Sequence, residues 1–387
     1  MKLGTRLIHP GNEVEEATGA VSTPIYQSVI FAQQDLDTPG KWEYTRSGNP
    51  TRAALEETVA ALEGGGHGFA FASGMAAITA AFCLFSAGDH VLVARDIYGG
   101  TFRLVHRLLP RFGIQIELLD TVDLENVRRA IRPETRGLYL ETPSNPLLKI
   151  TDLREAAALA RQHKIITIAD NTLMTPYLQR PLEMGVDIVV HSATKYLSGH
   201  SDCLAGVVVT GSQHLANELR FIQNCIGAVL APHECWLIMR GIKTLKVRLE
   251  QQQATAGRIA GWLTTRPEIG AVYYPGLENH PGRESHLAQA EGAGGVLSFR
   301  LQDGESARRL INGLHLPVIG SSLGAVESIV TLPATMSHGA LTEEMRQTLG
   351  ISRDLVRLSV GIEDFEDLRD DLAAALESST RFNLKNK

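Results

Sequence analysis

The sequence is poor in the residues that build covalent or metallic scaffolds. Only four cysteines occur in 387 residues (Cys83, Cys203, Cys225 and Cys235), and none belongs to a C-x-x-C pair. That spacing excludes a disulfide framework or a zinc module and suits buried thiols in a reducing compartment, so a cytoplasmic location is expected. Thirteen histidines are scattered without an H-E-x-x-H pair, and no metal site is expected. Apolar runs are strand-length and interrupted, so no membrane span is expected. The opening stretch, Met1 to Pro10, lacks the apolar core of a signal peptide. Basic residues are not in excess: 37 Lys and Arg against 43 Asp and Glu give a net charge of -6. Nucleic acid is offered no basic face. Repeats and low-complexity tracts are missing as well.

What is present is alternation. Apolar, largely β-branched runs at 69–72, 90–94, 114–118, 137–141, 165–169, 186–190 and 205–210 read as strands. Helical patterns lie between them at 75–86, 101–112, 124–131 and 152–162. An α/β fold with a mostly parallel central sheet, covered on both faces, is predicted. Asn49-Pro50 supplies a cap and first turn for a helix that Gly64-Gly65-Gly66 ends. After Pro232, residues Trp236, Met239, Ile242, Leu245 and Leu249 keep helical spacing. A smaller α+β unit follows, with strands near 270–274 and 294–300 and helices near 304–313 and 364–376. The expected division is an N-terminal arm over 1–58, a large domain over 59–246 and a C-terminal domain over 247–387.

One lysine organises the chemistry. Val186 to Val190 form a buried strand that stops at His191-Ser192-Ala193-Thr194-Lys195. Burying an amine lowers its pKa and suits it to Schiff-base chemistry with a carbonyl compound. Taken alone, Lys195 reads as an ordinary loop lysine, with Ser192 and Thr194 as hydroxyls able to hold a phosphate. Three other stretches change that. Asp170 ends the run Ile165 to Asp170, at the sheet edge where ligands gather. Beside a Schiff-base lysine it becomes the partner expected for a pyridinium nitrogen. Ser73-Gly74-Met75 starts an apolar helix whose first N–H groups, with the Ser73 hydroxyl, make a phosphate site. Tyr98 precedes Gly99-Gly100 and offers a ring to stack on a flat heterocycle.

These parts, in this order, are the set needed for pyridoxal phosphate. The motifs Y-T-R-S-G-N-P-T (Tyr44 to Thr51), S-G-M-A-A, D-I-Y-G-G-T, E-T-P-S-N-P (Glu141 to Pro146), D-N-T and H-S-A-T-K-Y are long and specific. Over nearly the whole chain the sequence resembles the cysteine/methionine-metabolism family of pyridoxal-phosphate enzymes, the trans-sulfuration enzymes. The resemblance implies PLP-dependent transferase fold type I (aspartate aminotransferase-like) and a cofactor covalently bound to Lys195. It implies that Tyr44 and Arg46 reach the cofactor phosphate of a neighbouring subunit, and that Asn145 bonds the ring hydroxyl. Arg357 would clamp the substrate carboxylate, and Ser322 would position that carboxylate or the lysine. Lys195 and Tyr98 are the expected catalytic groups. A homo-oligomer with shared sites is implied, a tetramer as a dimer of dimers.

Family membership leaves the broken bond open. Gly100 stands where methionine γ-lyases carry a cysteine, and Ser321 where γ-lyases and γ-synthases commonly carry a glutamate. The run Ser322 to His338, S-L-G-A-V-E-S-I-V-T-L-P-A-T-M-S-H, resembles that of bacterial β-lyases, which implies a carbon–sulfur lyase acting on cystathionine by β-elimination. The alternatives are γ-elimination, γ-replacement and, more remotely, a non-catalytic PLP-binding scaffold.

Overall fold

A computed structural model describes residues 1–11, 14–339 and 341–381 of the chain. Seven strands form the central sheet: β1 (His67–Phe71), β2 (His90–Ala94), β3 (Gln115–Leu119), β4 (Thr135–Glu141), β5 (Ile166–Asp170), β6 (Ile188–His191) and β7 (Gly206–Thr210). Their order is β1-β7-β6-β5-β4-β2-β3. The run from β3 to β6 is parallel, and β7 is antiparallel to both β1 and β6. Every residue of β2 and β7 is buried, as apolar strands covered on both faces must be. Each of the seven expected strands is found, within two residues of its expected ends. The parallel strands β4, β5 and β6 end at Glu141, Asp170 and His191, all on one edge.

The expected helix over 101–112 is three short pieces instead. An α-turn (Gly99–Arg103), a π-turn (Leu104–Leu108) and a 3-10 turn (Leu109–Phe112) succeed one another. The α-turn has already given way at Leu104, and Pro110, with no N–H and a ring that crowds the carbonyl of residue 106, bars its return. The long pattern after Pro232 likewise divides, into helices Pro232–Ile242 and Leu245–Leu263. At the break, the Thr244 hydroxyl and Arg248 Nη2 both donate to the Gly241 carbonyl, at 3.1 and 2.8 Å. Side-chain donors have taken over a carbonyl at the helix end.

The C-terminal sheet contains β8 (Ala271–Tyr273), β9 (Val296–Arg300), β10 (Val318–Ile319), β11 (Ile329–Thr331) and β12 (Leu355–Ser359), in the order β10-β11-β12-β9-β8. Strands β10 and β11, of two and three residues, are too short to leave a pattern, and sequence reasoning missed them. Helices Arg283–Gln289 and Glu343–Leu349 were also unforeseen. The boundaries expected at 58 and 246 fall within the continuous helices Pro50–Glu63 and Leu245–Leu263. Leu245 and Leu249 of the latter pack in one core with Tyr196 and Leu197. Ala256, Ile259, Ala260 and Leu263 of the same helix pack in another, with β9 and β12.

Helix Pro50–Glu63 follows its sequence signals closely. The Asn49 side chain accepts from Thr51 and Arg52 N–H, Pro50 opens the first turn, and Gly64 ends it at φ 75°. The start of the next helix, Gly74–Phe82, is held against β7 by a glycine. A Cβ on Gly206 would lie 2.2 Å from the Ser73 carbonyl oxygen. Gly206→Ala should therefore displace that helix start and destabilise the fold by about 2 kcal/mol. Gly66→Ala, with nothing within 4 Å, should change stability by less than about 0.5 kcal/mol. Urea unfolding of the two variants checks the contrast.

Candidate functional site

The edge where β4, β5 and β6 end gathers most of the predicted residues. Glu141 and Asp170 are register partners on adjacent parallel strands. Asp170 is 8% exposed, and accepts from the Tyr139 hydroxyl at 3.2 Å and from Thr172 N–H at 3.0 Å. Burial pushes the Asp170 carboxyl up, with the Thr172 bonds opposing it. Glu141 is pushed further, first by burial and then by the Asp170 charge beside it. Two buried carboxylates so close favour a single negative charge. Among the described residues no cation lies within ion-pair distance of Asp170. A buried carboxylate in that state calls for a positive partner.

Lys195 follows β6. Its Nζ donates to Ser322 Oγ at 2.8 Å, and among the described residues no carboxylate neutralises it. Burial, then repulsion from Arg357, brings its pKa down to about 8. The amine is thus largely a neutral nucleophile in mildly alkaline solution. Below it, His191 Nε2 and Glu63 Oε1 lie 2.6 Å apart, and Asn171 Nδ2 donates to the same oxygen at 2.9 Å. That buried set fixes the end of β6. Thr194 Oγ1 both donates to the Ala205 carbonyl (3.1 Å) and accepts from Ala205 N–H (2.9 Å).

The phosphate candidates adjoin this loop. Ser73 caps helix Gly74–Phe82 by accepting from Ala76 N–H at 3.1 Å. The Gly74 and Met75 N–H groups precede the helix's own ladder, and point out from its positive end. A Cβ on Gly74 would lie 2.8 Å from Ser192 Cβ, so the helix start and the lysine loop are in contact. Ser192 N–H donates to Thr172 Oγ1 at 2.8 Å. The Tyr98 ring folds back over residue 100, where a Cβ would meet it at 2.4 Å and Met75 Sδ at 2.7 Å. The ring is 40% exposed. Its backbone N–H donates to Glu141 Oε2 at 2.8 Å.

Arg357, on β12, closes the far side. It is fully buried, yet among the described residues no carboxylate pairs with it. Nη1 donates to Asn145 Oδ1 at 3.0 Å, and Nη2 to the Ser322 carbonyl at 2.7 Å and to Thr331 Oγ1 at 2.9 Å. Nε has no partner. Burial brings the guanidinium down to about 10, a cation short of an anion. Glu363, six residues on in sequence, accepts from Ser328 N–H and hydroxyl at 2.6 and 2.8 Å. With Asn145 Oδ1 occupied, its amide NH2 is left as a donor.

Tyr44 and Arg46 stand apart from Lys195 in their own chain. Arg46 Nη1 donates to the carbonyl and Oδ1 of Asn224, at 2.7 and 2.8 Å. Its guanidinium lies 5.6 Å from the Tyr44 ring centre. Sequence reasoning passed over Tyr139, Thr172, Glu63 and His191 as supports. The first was legible, because Tyr139 and Glu141 alternate onto one face of β4; the others depend on tertiary contact.

Three unmet demands converge here: a cation for Asp170, an anion for Arg357 and an anion for the helix start. With a nucleophilic amine among them, the residues fit a group carrying a basic ring nitrogen, a phosphate and an aldehyde. The comparisons agree. A family model described as "Cys/Met metabolism PLP-dependent enzyme" matches residues 4–377. Cystathionine beta-lyase MetC of Bacillus subtilis is 52% identical over 375 residues, covering 97% of this chain and 96% of that protein. A cystathionine gamma-lyase of the same organism is 50% identical, covering 98% and 100%. The crystal structure of cystathionine gamma-lyase from Lactobacillus plantarum, complexed with L-serine, superposes with a TM-score of 0.96 at 46% identity, covering 98% of this chain and 100% of that one. The chain belongs to the Cys/Met metabolism family of PLP-dependent enzymes, with their fold type I architecture.

Proposed function

We propose that the protein is a carbon–sulfur lyase that cleaves cystathionine by β-elimination, giving homocysteine, pyruvate and ammonia. The observation that carries this reading is the Lys195 amine, uncompensated and hydrogen-bonded to Ser322, between an unpaired buried Asp170 and an unpaired buried Arg357. Pyridoxal phosphate supplies an electron sink that makes the α-proton of the bound amino acid acidic. The chain's own groups do the rest. Arg357 holds the α-carboxylate, its fork aimed by Asn145, Thr331 and the Ser322 carbonyl. Asp170 keeps a proton on the ring nitrogen, and Tyr98 covers the ring face. Ser73, Gly74, Met75, Ser192 and Thr194 hold the phosphate.

Lys195 would anchor the cofactor, and its Nζ would act as the base for the α-proton. Ser322 keeps its Nζ aimed, and Tyr98 delivers a proton to the departing sulfur. Support for β-elimination comes from the 52% identical relative, named a beta-lyase. Ser321 adds to it: the residue is exposed and uncharged, so no carboxylate there holds a distal ammonium. A gamma-lyase at 50% identity keeps γ-elimination as the second reading.

The arm supports a shared site. Val21, Val29, Ile30 and Leu36 are exposed in this chain, apolar surface that a second copy would cover. We place the sites at such a dimer, two of which make the tetramer. Four unpaired cysteines support a reducing, cytoplasmic location, and no described helix is long and apolar enough to cross a membrane.

With cystathionine, the keto acid released should be pyruvate by mass; 2-oxobutyrate would transfer the protein to the second reading. Lys195→Ala should lower turnover at least about a thousandfold, and borohydride should no longer label that peptide. Lys195 is displaced downward, so its reactive neutral form persists to lower pH than a free lysine's. Apoprotein capture of pyridoxal phosphate should rise with pH through about 8, not about 10.4. Arg357→Gln removes a repelling charge and should move that midpoint up. Mixing Arg46→Ala with Lys195→Ala chains should recover activity if the arm serves its neighbour; none would mean that it serves its own site.

A further inference from the structure

Two buried residues without a part in the proposed chemistry meet at one peptide bond. The peptide between Ile97 and Tyr98 gives its N–H to Glu141 Oε2, at 2.8 Å. Its carbonyl, on Ile97, faces the His338 ring. Asn145 is held in the same way, its N–H turned to Glu141 and its carbonyl to His338. Both side chains are sequestered: Glu141 is 5% and His338 2% exposed. The contact depends on Gly99, where a Cβ would lie 2.5 Å from the Ser337 carbonyl oxygen. Only glycine lets the 337–338 segment lie against the tyrosine turn.

The proton on His338 is also determined. Burial, and Arg357 nearby, bring its pKa down to about 4, so the ring is neutral and carries one N–H. Ser337 Oγ lies 3.0 Å from Nδ1. The two carbonyls can only accept, which puts the proton on Nε2 and leaves Nδ1 to accept from Ser337. Tyr98 is 40% exposed, so its backbone shares with the contact at residue 100 in placing the ring.

We propose that His338 and Glu141 are positioning residues that grip the Ile97–Tyr98 peptide from opposite ends, and so hold the Tyr98 ring in step with the Arg357–Asn145 corner. The inference rests on the reading of Tyr98 as the group that covers the cofactor ring. His338, beside Arg357, ties the tyrosine to the place where the substrate carboxylate binds; Glu141 ties it to the strand that neighbours Asp170.

The test is a double-mutant cycle on the holoenzyme, with the variants His338→Ala, Tyr98→Ala and both together. Measured for each are kcat, KM and the visible circular dichroism of the bound cofactor, which responds to the ring beside it. His338→Ala should lower kcat about 30-fold and change the dichroism while the cofactor stays bound. In the Tyr98→Ala background the same substitution should cost less than about threefold. His338→Gln, which keeps an N–H donor, should recover most of the loss. If His338→Ala does not fold, Glu141→Met, which keeps the length and removes the acceptor for Tyr98 N–H, takes its place in the cycle. Equal losses in both backgrounds, or unaltered dichroism, would overturn the proposal. Failure of the underlying reading has another signature: Tyr98→Ala itself would leave kcat and dichroism unchanged.

Discussion

An amine without a counter-ion is the constraint on which this structure turns. A buried lysine is normally paired, but Lys195 has only the hydroxyl of Ser322, with the guanidinium of Arg357 repelling it. The fold tolerates this because a neutral amine costs far less to bury than an ammonium. The same reasoning applies with opposite sign at Asp170, where burial favours the neutral acid. Each group is held in a state that a bound cofactor and substrate would relieve. Binding then replaces missing partners rather than displacing existing ones.

The two sheets divide this work. The central sheet presents Asp170 and Lys195 from neighbouring strand ends, at the edge where parallel sheets collect ligands. The C-terminal sheet contributes Arg357 from β12, and the loop before β11 contributes Ser322. Ser322 joins them, because its hydroxyl meets the lysine and its carbonyl meets the arginine. One residue therefore links the buried amine to the buried guanidinium.

Much of this was legible in the sequence, for identifiable reasons. Runs such as Val186 to Val190 announce buried strands whatever their partners, and Asn49-Pro50 specifies a helix start by local chemistry alone. Lys195, Asp170 and Ser73 stood out as candidates because each lies at the end of such an element. The supports were hidden because they are tertiary. Glu63 reaches His191 across 128 residues, and no local pattern records that. Strand β10, with two residues, has no period to detect. The helix expected over 101–112 gave way at Leu104 and was barred from resuming by Pro110, a breaker that apolar spacing alone does not weigh. Arg46, expected at a neighbouring subunit's phosphate, meets Asn224 in the single chain, a contact across 178 residues that no motif records.

Helix Leu245–Leu263 carries a further consequence. Its first turns belong to the core that backs the lysine loop, and its later turns to the core behind β9 and β12. A rod shared in this way transmits angle as well as distance. Each residue of an α-helix advances about 100° and 1.5 Å, so one residue added near its middle would swing one core relative to the other by more than a quarter turn. The length of that rod is therefore a functional dimension of the protein, as tightly bound to the reaction as any side chain at its centre.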